Sequence, residues 1–461
     1  MHSLSIFGTS SDAGKSTIAF ALSVILQQQG INIAPFKAQN VSNNSQVTDE
    51  GGEIAVAQYF TAKALGLYTS PDMNPILLKS GPKSQAHVIV NGYSLSNKNV
   101  QTYFNDLDSL KPIVSNSFRK LQKKYDCIIA EGAGSPVELN LMDKDLSNLF
   151  IAQEFQTKII LVADIERGGV FASIYGVYKL LPKQLRSNVI GVIINKFQGD
   201  RKLFDNGVKI IEKKFKLPVL GVIPYTPFNL AFEDIESLKN YSQNLKNSII
   251  KVGIIQFPHI SNFTDFEPLI ADPQLEVFFL TTLQQIKECD LIILPGSKRV
   301  VDDLHWLYQK NFSQYLCNSS QMIFGICGGY EMMHEKILDP KQIESNQKKT
   351  RALGLFKGEV IFKRKKRLRR TTYKLFDLKV QGYEIHNAVA KKISQKKKNI
   401  YGSFIHGIFE NDTLRYKIFS KINQDYNGYN FKKYKKKTIQ TFTSKIEENV
   451  DIEKIMRALN D

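Results

Sequence analysis

"GTSSDAGKST", residues 8–17, follows the short apolar run LSIF (4–7) and precedes an apolar-rich stretch at 18–26. A glycine-rich turn between a strand and a helix aims backbone N–H groups and the helix's positive end at a phosphate. A lysine adds a cationic contact, and the hydroxyl after it reaches Mg²⁺. Gly14, Lys15 and Ser16 supply those parts, and Gly8, Thr9, Asp12, Ala13 and Thr17 complete a loop expected to hold a nucleotide. Five residues separate Gly8 from Gly14, where the usual spacing has four, so the loop is a variant form.

Outward from that loop, apolar runs recur with helix-length stretches between them, at 31–36, 127–130, 159–163, 189–194 and 219–223. Strands that read as continuous apolar runs belong to a parallel sheet covered on both faces, which predicts an α/β, doubly wound first domain. A polar stretch at 233–247 ends it, and a fresh α/β series begins with KVGIIQF (251–257). VFFL (277–280), LIILPG (291–296), MIFGICGG (322–329) and YGSFIHG (401–407) continue the series. The expected division is therefore residues 1–247 and 248–461, the second unit ending in a lysine-rich region.

A chain of 461 residues, 43% of them hydrophobic, is long enough for two or three cores. No apolar run approaches the length of a membrane helix, and no basic-then-apolar leader precedes the first strand, so a cytoplasmic protein is expected. Four cysteines without C-x-x-C spacing argue against a disulfide framework or a cysteine-rich metal site. The net charge of +18 would suit an anionic partner, yet much of it lies in KRKKRLRR (363–370) and KKYKKK (432–437). Without interleaved aromatic platforms these read as solvated loop or helix faces, and neither a specific nucleic-acid partner nor a membrane is expected.

Two further features carry chemistry. Glu131 ends the strand DCIIA and opens EGAGS, at the carboxyl edge where such sheets bind ligands, which makes it the leading Mg²⁺ carboxylate; Glu53 and Asp49 are weaker candidates. In GICGGYEMM (325–333), Cys327 sits between an apolar strand and a helix among glycines, the shape of a nucleophile elbow carrying sulfur. His406, ending the strand YGSFIH, fits the base, with His386 in QGYEIH as rival. The N–H groups of Gly296 and Gly328 are placed to receive a tetrahedral oxyanion.

On these motifs the first half resembles the dethiobiotin-synthetase-like P-loop ATPases. The second resembles class I glutamine amidotransferases of the cobyric acid synthase and cobyrinic acid diamide synthase group, closest to the first-named branch. PFKAQNVSNNS, DMNPILLK, VIVNG, EGAGSP, DIERGGVFAS and INKFQGD carry the likeness in the first half. LPGSK, GICGGYEMM, GYEIH and FIHGIFEND carry it in the second. The resemblance implies an enzyme of cobalamin biosynthesis that uses ATP and Mg²⁺, takes nitrogen from L-glutamine and amidates four carboxylates (b, d, e and g) of adenosylcobyrinic acid a,c-diamide. It implies Cys327 as glutaminase nucleophile, His406 as its base, Lys15 and Ser16 in the phosphate loop, and Glu53 and Glu131 as Mg²⁺ carboxylates. Triad amidotransferases carry His-x-Glu, whereas position 408 is Ile, so a Cys–His dyad is expected. A sibling amidotransferase acting on another acid, and a non-enzymatic partition-type ATP switch, remain as alternatives. The oligomeric state, a homo-oligomer included, stays open.

Overall fold

In the computed structural model of the chain, residues 1–80, 85–99, 103, 106–230 and 248–461 are described. The polar stretch expected to end the first domain, 233–247, lies outside them. The apolar runs read from the sequence are strands. Six of them form a parallel sheet in the order Val219–Pro224, Val189–Phe197, Lys158–Asp164, Leu4–Gly8, Cys127–Glu131, Ile33–Phe36. Leu4–Gly8 is central and buried throughout, so the loop at 8–17 emerges at the carboxyl edge between Glu131 and Asp164, the last residues of its two neighbours.

The second half is a second sheet, ordered Leu275–Leu280, Ile250–Ile255, Leu291–Leu294, Met322–Ile326, Ile400–Ser403, Ser394–Lys397, parallel except for the last strand. Cys327 and His406 follow adjacent strands of this sheet, which brings them together although 79 residues separate them, from 327 to 406.

Two expectations need correction. The helix Lys15–Gln28 is buried almost all round, because the C-terminal helices Phe431–Glu447 and Ile452–Asn460 cover the face the sheet does not. Phe442, Ile446, Ile455 and Leu459 join the core of the first domain, and His2 N–H donates to the Leu459 carbonyl at 2.7 Å. From Phe442 on, the segment thus packs on the first half, not on the second to which sequence order assigned it, while its start still touches the second through Phe431 with Asp412 and Lys435 with Glu410. Each such buried aliphatic or aromatic side chain contributes about 1.5–3 kcal/mol. Their helices present one apolar stripe, which a reading by sequence order has no means of matching to a partner far away.

The tract 363–370 is neither loop nor helix face. It lies within the strand Glu359–Leu375, which pairs antiparallel with Leu378–Ala390 in a long hairpin. Side chains alternate across a strand, so Lys366, Leu368 and Arg370 turn inward while Arg367 and Arg369 face out. Inward, Lys366 Nζ meets Glu53 Oε2 at 2.6 Å, and Arg370 donates to the Val47 carbonyl at 2.8 Å. The Arg370 guanidinium lies 4.6 Å from the ring centre of Tyr59 and 4.8 Å from that of Tyr383. The other tract, 432–437, is the solvated helix face expected.

Candidate active site

The phosphate loop closes on itself. Gly14 takes φ +94°, and a Cβ there would fall 2.2 Å from Asn195 Nδ2, which donates to the Ala13 carbonyl at 3.0 Å. Asp12 is also left-handed, at φ +56°. Two left-handed residues in three fold the extra residue of the spacing into the turn. Thr9 N–H donates to the Val162 carbonyl, Thr17 Oγ1 to the Gly14 carbonyl, and buried Lys15 Nζ to the Ser10 carbonyl at 3.2 Å.

Ser16 Oγ donates to Glu131 Oε1 at 2.7 Å, Lys37 Nζ reaches the same oxygen at 2.6 Å, and Gln58 Nε2 donates to Oε2 at 3.1 Å. A hydroxyl and a carboxylate oxygen so placed are the hard oxygen donors that Mg²⁺ takes, and a nucleotide-bound Mg²⁺ needs only one or two from protein. Lys37 and Gln58 were missed by sequence reading, since nothing local marks a residue that a fold delivers to a carboxylate 94 or 73 positions away.

Glu53 does not join this site. Its Oε1 accepts from Ser45 Oγ at 2.8 Å and pairs with Lys79, while its Oε2 pairs with Lys366. Burial works against its charge, but Lys366, Lys79 and Lys298 outweigh that and hold the carboxyl well below the usual range. Both oxygens are taken by cations, so the expected role as Mg²⁺ ligand is corrected: Glu53 belongs to a junction between the halves. Asp49 is likewise engaged, by Lys63 and Thr69.

At Cys327, strand Met322–Ile326 turns sharply into helix Gly328–Met332. Cys327 holds φ +47°, ψ −109°, a strained conformation for a residue with a Cβ. Gly328 lets the turn approach the next strand, since a Cβ there would lie 2.8 Å from Ser297 N. A methyl on Gly296 would fall 3.2 Å from His406 Cε1. Cys327, Gly328, Gly296 and His406 are therefore gathered in one place.

His406 lies within electrostatic reach of the Cys327 side chain. Its Nδ1 lies 2.7 Å from Asp265 Oδ2, and Asp265 Oδ1 accepts the Gly407 N–H at 2.6 Å. Burial disfavours the imidazolium, yet Asp265 and Cys327 more than offset it and raise His406 to about 10, so the ring keeps a proton to deliver. A carboxylate that sequence reading did not expect, Asp265, stands behind the His406 of the expected Cys–His dyad. Ile408 is core, as its identity implies, and the carboxylate comes from 141 positions upstream. The rival His386 is engaged elsewhere: Nδ1 with the Ala388 carbonyl and Nε2 with Glu384. One turn past Cys327, buried Glu331 is pushed up to about 8 by burial, with His406 acting the other way.

Between the halves lies a cavity of about 790 Å³ bordered by Glu50, His87, Lys298, Arg299, Glu344 and Lys366. Burial drives Lys298 well below the usual ammonium range, and Lys79 and Lys366 add to the effect. No group of His, Cys, Asp and Glu among the described residues forms a metal cage, and no helix among them is long and apolar enough to cross a membrane.

Residues 4–236 match the CobQ/CobB/MinD/ParA nucleotide binding domain, and residues 251–414 match the CobB/CobQ-like glutamine amidotransferase domain. A protein of Acinetobacter baylyi named cobyric acid synthase is 52% identical over 464 residues, covering 100% of both chains. Proteins of the same name from Listeria monocytogenes (37% identical, 98% of this chain and 96% of the relative) and Clostridium tetani (34%, 98% and 98%) are also similar along their length.

Proposed function

The chain belongs to the cobyric acid synthase family, a glutamine-dependent amidoligase of cobalamin biosynthesis, and on that premise we propose that it converts four carboxylates (b, d, e and g) of adenosylcobyrinic acid a,c-diamide to amides through acyl phosphates. The observation that carries the reading is the pairing, in one chain, of a phosphate loop facing Glu131 with a Cys327–His406–Asp265 set, the two halves meeting through a buried ionic junction.

The chemistry needs both halves. Amide formation from a carboxylate requires a better leaving group than oxide. The substrate carboxylate oxygen attacks the γ-phosphorus of ATP, the bond to the bridging oxygen breaks, and ADP departs, leaving an acyl phosphate. Lys15 and the N–H groups of residues 8–17 hold the phosphates, and Ser16 and Glu131 would hold Mg²⁺. That ion supplies charge neutralisation on the phosphate oxygens.

In the second half, Cys327 Sγ attacks the side-chain amide carbon of L-glutamine, and the N–H groups of Gly296 and Gly328 receive the oxyanion. His406, oriented by Asp265, passes its proton to the leaving nitrogen, so ammonia departs and a glutamyl thioester remains. It then deprotonates the water that releases glutamate. Ammonia attacks the acyl phosphate carbon, phosphate leaves and one proton is lost.

Corrinoid-stimulated, glutamine-dependent ATP hydrolysis, with product masses showing four carboxyl-to-amide exchanges, tests the reading. ATP and glutamine turnover indifferent to corrinoid would overturn it. Asp265→Asn, which removes the charge and half the acceptors that orient His406, is expected to lower glutamine-fed kcat by about 10²-fold while leaving ammonia-fed synthesis unchanged. Equal loss with both nitrogen sources would remove Asp265 from the site.

The tract 363–370 spends two of its seven cations, Lys366 and Arg370, on the inter-half junction, and the other five lie exposed along one strand with no aromatic platform between them. Duplex DNA binding is expected to be weak and to fall by roughly 10³-fold between about 50 and 200 mM salt. Tight binding that persists at physiological salt and disappears when residues 363–370 are neutralised would revive the partition-type switch.

A further inference from the structure

The short segment that carries Asp265 is held from the other half of the molecule. Asp265 lies on the helical turn Phe263–Phe266, entered through Asn262 in the left-handed conformation at φ +52°. The first N–H of such a turn has no partner within it, and Asn262 makes no side-chain cap to it. The cap comes from the synthetase half: Phe263 N–H donates to Asn44 Oδ1 at 3.2 Å, over a sequence separation of 219. The contact is reciprocated, since Ser45 N–H donates to Asn262 Oδ1 at 3.1 Å. The other end of that amide, Asn262 Nδ2, faces His406 Nε2 at 3.4 Å. All four groups, Asn44, Ser45, Asn262 and Asp265, are buried.

Asn44 and Ser45 are themselves anchored to the synthetase half. Ser45 Oγ accepts from Lys79 Nζ at 2.5 Å and donates to Glu53, whose other oxygen holds Lys366. Strand Ser45–Val47 pairs antiparallel with Glu53–Ala55, and the chain runs directly from there into helix Val56–Ala64, which carries Gln58 to Glu131 beside the phosphate loop. The Tyr383 hydroxyl, whose ring stacks on His406, donates to the Ser45 carbonyl at 3.4 Å. Contacts therefore run without a break from Ser16 to the ring of His406.

We propose that Asn44, on the synthetase half, is a positioning residue of the glutaminase: it caps in trans the turn bearing Asp265 and, through the Asp265 carboxylate, sets the orientation of His406 toward Cys327. The inference rests on the glutaminase reading above. An Asp265 carboxylate that drifts with an uncapped turn no longer fixes the ring, whereas glutamine binding does not depend on it. The effect belongs in kcat and not in KM.

The experiment compares the full-length wild type with Asn44→Ala, Asn44→Asp and Asn262→Ala, each fed with L-glutamine or with an ammonium salt. Asn44→Ala is expected to lower glutamine-fed kcat roughly tenfold, the scale of a lost cap in a site sensitive to geometry. Glutamine KM and ammonia-fed synthesis should stay within about twofold. Asn44→Asp keeps an acceptor for Phe263 N–H and should restore most of the rate. Asn262→Ala, which breaks the reciprocal contact from the glutaminase side, should show the same division between the two feeds. Unchanged glutamine-fed kcat in Asn44→Ala, parallel loss with both feeds in both alanine variants, or Asn44→Asp no better than Asn44→Ala would each overturn the proposal. Cys327→Ser separates the two levels: if it still consumes glutamine at the wild-type rate, the glutaminase reading itself has failed. If it loses glutamine turnover while Asn44→Ala does not, only the positioning role has.

Discussion

Cys327→Ser is expected to lose glutamine-dependent amidation almost entirely, by roughly 10⁴-fold or more, as removal of a catalytic nucleophile does. A serine hydroxyl ionises far above a thiol, and the elbow at φ +47° points whatever it carries at the same acyl carbon. Asp265 strengthens His406 as a proton acceptor, yet a Cys–His–Asp set arranged around sulfur lacks the closer approach that the shorter C–O bond requires. The ATP site lies in another sheet, so high ammonium concentrations should restore product with ATP and corrinoid still needed. The measurement is glutamine-fed against ammonia-fed product. Equal loss in both would make Cys327 structural or part of the synthetase site, and full retention with glutamine would mean it is not the nucleophile.

Lys15→Ala should abolish synthesis with either nitrogen source, because the acyl phosphate no longer forms. Lys15 is buried at the start of its helix, with Nζ resting on the Ser10 carbonyl inside the loop. Removing one positioned charge from the transferring phosphoryl group costs about 3–4 kcal/mol of barrier, or roughly 10³-fold in rate. Hydrolysis of glutamine to glutamate, by contrast, should continue, since no part of the Cys327 site uses that charge. Near-normal ammonia-fed synthesis by this variant would remove Lys15 from the phosphate site. Together the two variants divide the reaction: one loses nitrogen supply, the other loses activation.

Local pattern carried the parts of this molecule that physics makes local. A strand buried on both faces must be apolar along its length, so 159–163 and 322–326 announced themselves. A turn that cradles phosphate must combine glycines with a lysine and a hydroxyl at the helix start. A nucleophile on an elbow must sit between strand and helix, and Cys327 does. The preference for His406 over His386 rests on local context, one ending a core strand beside that of Cys327, the other lying in the long hairpin.

What depended on distant partners could not be read this way. The basic run at 363–370 looks the same whether water or a carboxylate faces it, and only the docking of Glu53 and Tyr59 makes Lys366 and Arg370 interior cations. The role of Glu53 is set by its neighbours, here Lys79 and Lys366 from separate strands, and none of them is visible in the local sequence around it. The apolar face of helix 15–28 says that something covers it, not that residues 431–460 do.

By itself, then, the sequence determined two α/β sheets, the glycine-rich loop at the first turn of the first of them, the cysteine elbow and the histidine placed beside it, because each is built from residues within a strand, a turn and a helix of one another. Only the tertiary structure decided that Asp265 completes the set on His406, that Asn44 caps the turn bearing it from the opposite half, and that the basic strand closes the junction between the two. Those are pairings across 141, 219 and 313 positions of chain. A hydrogen bond or ion pair between such residues depends on where the fold sets down both partners, and neither partner's local sequence carries a trace of the other.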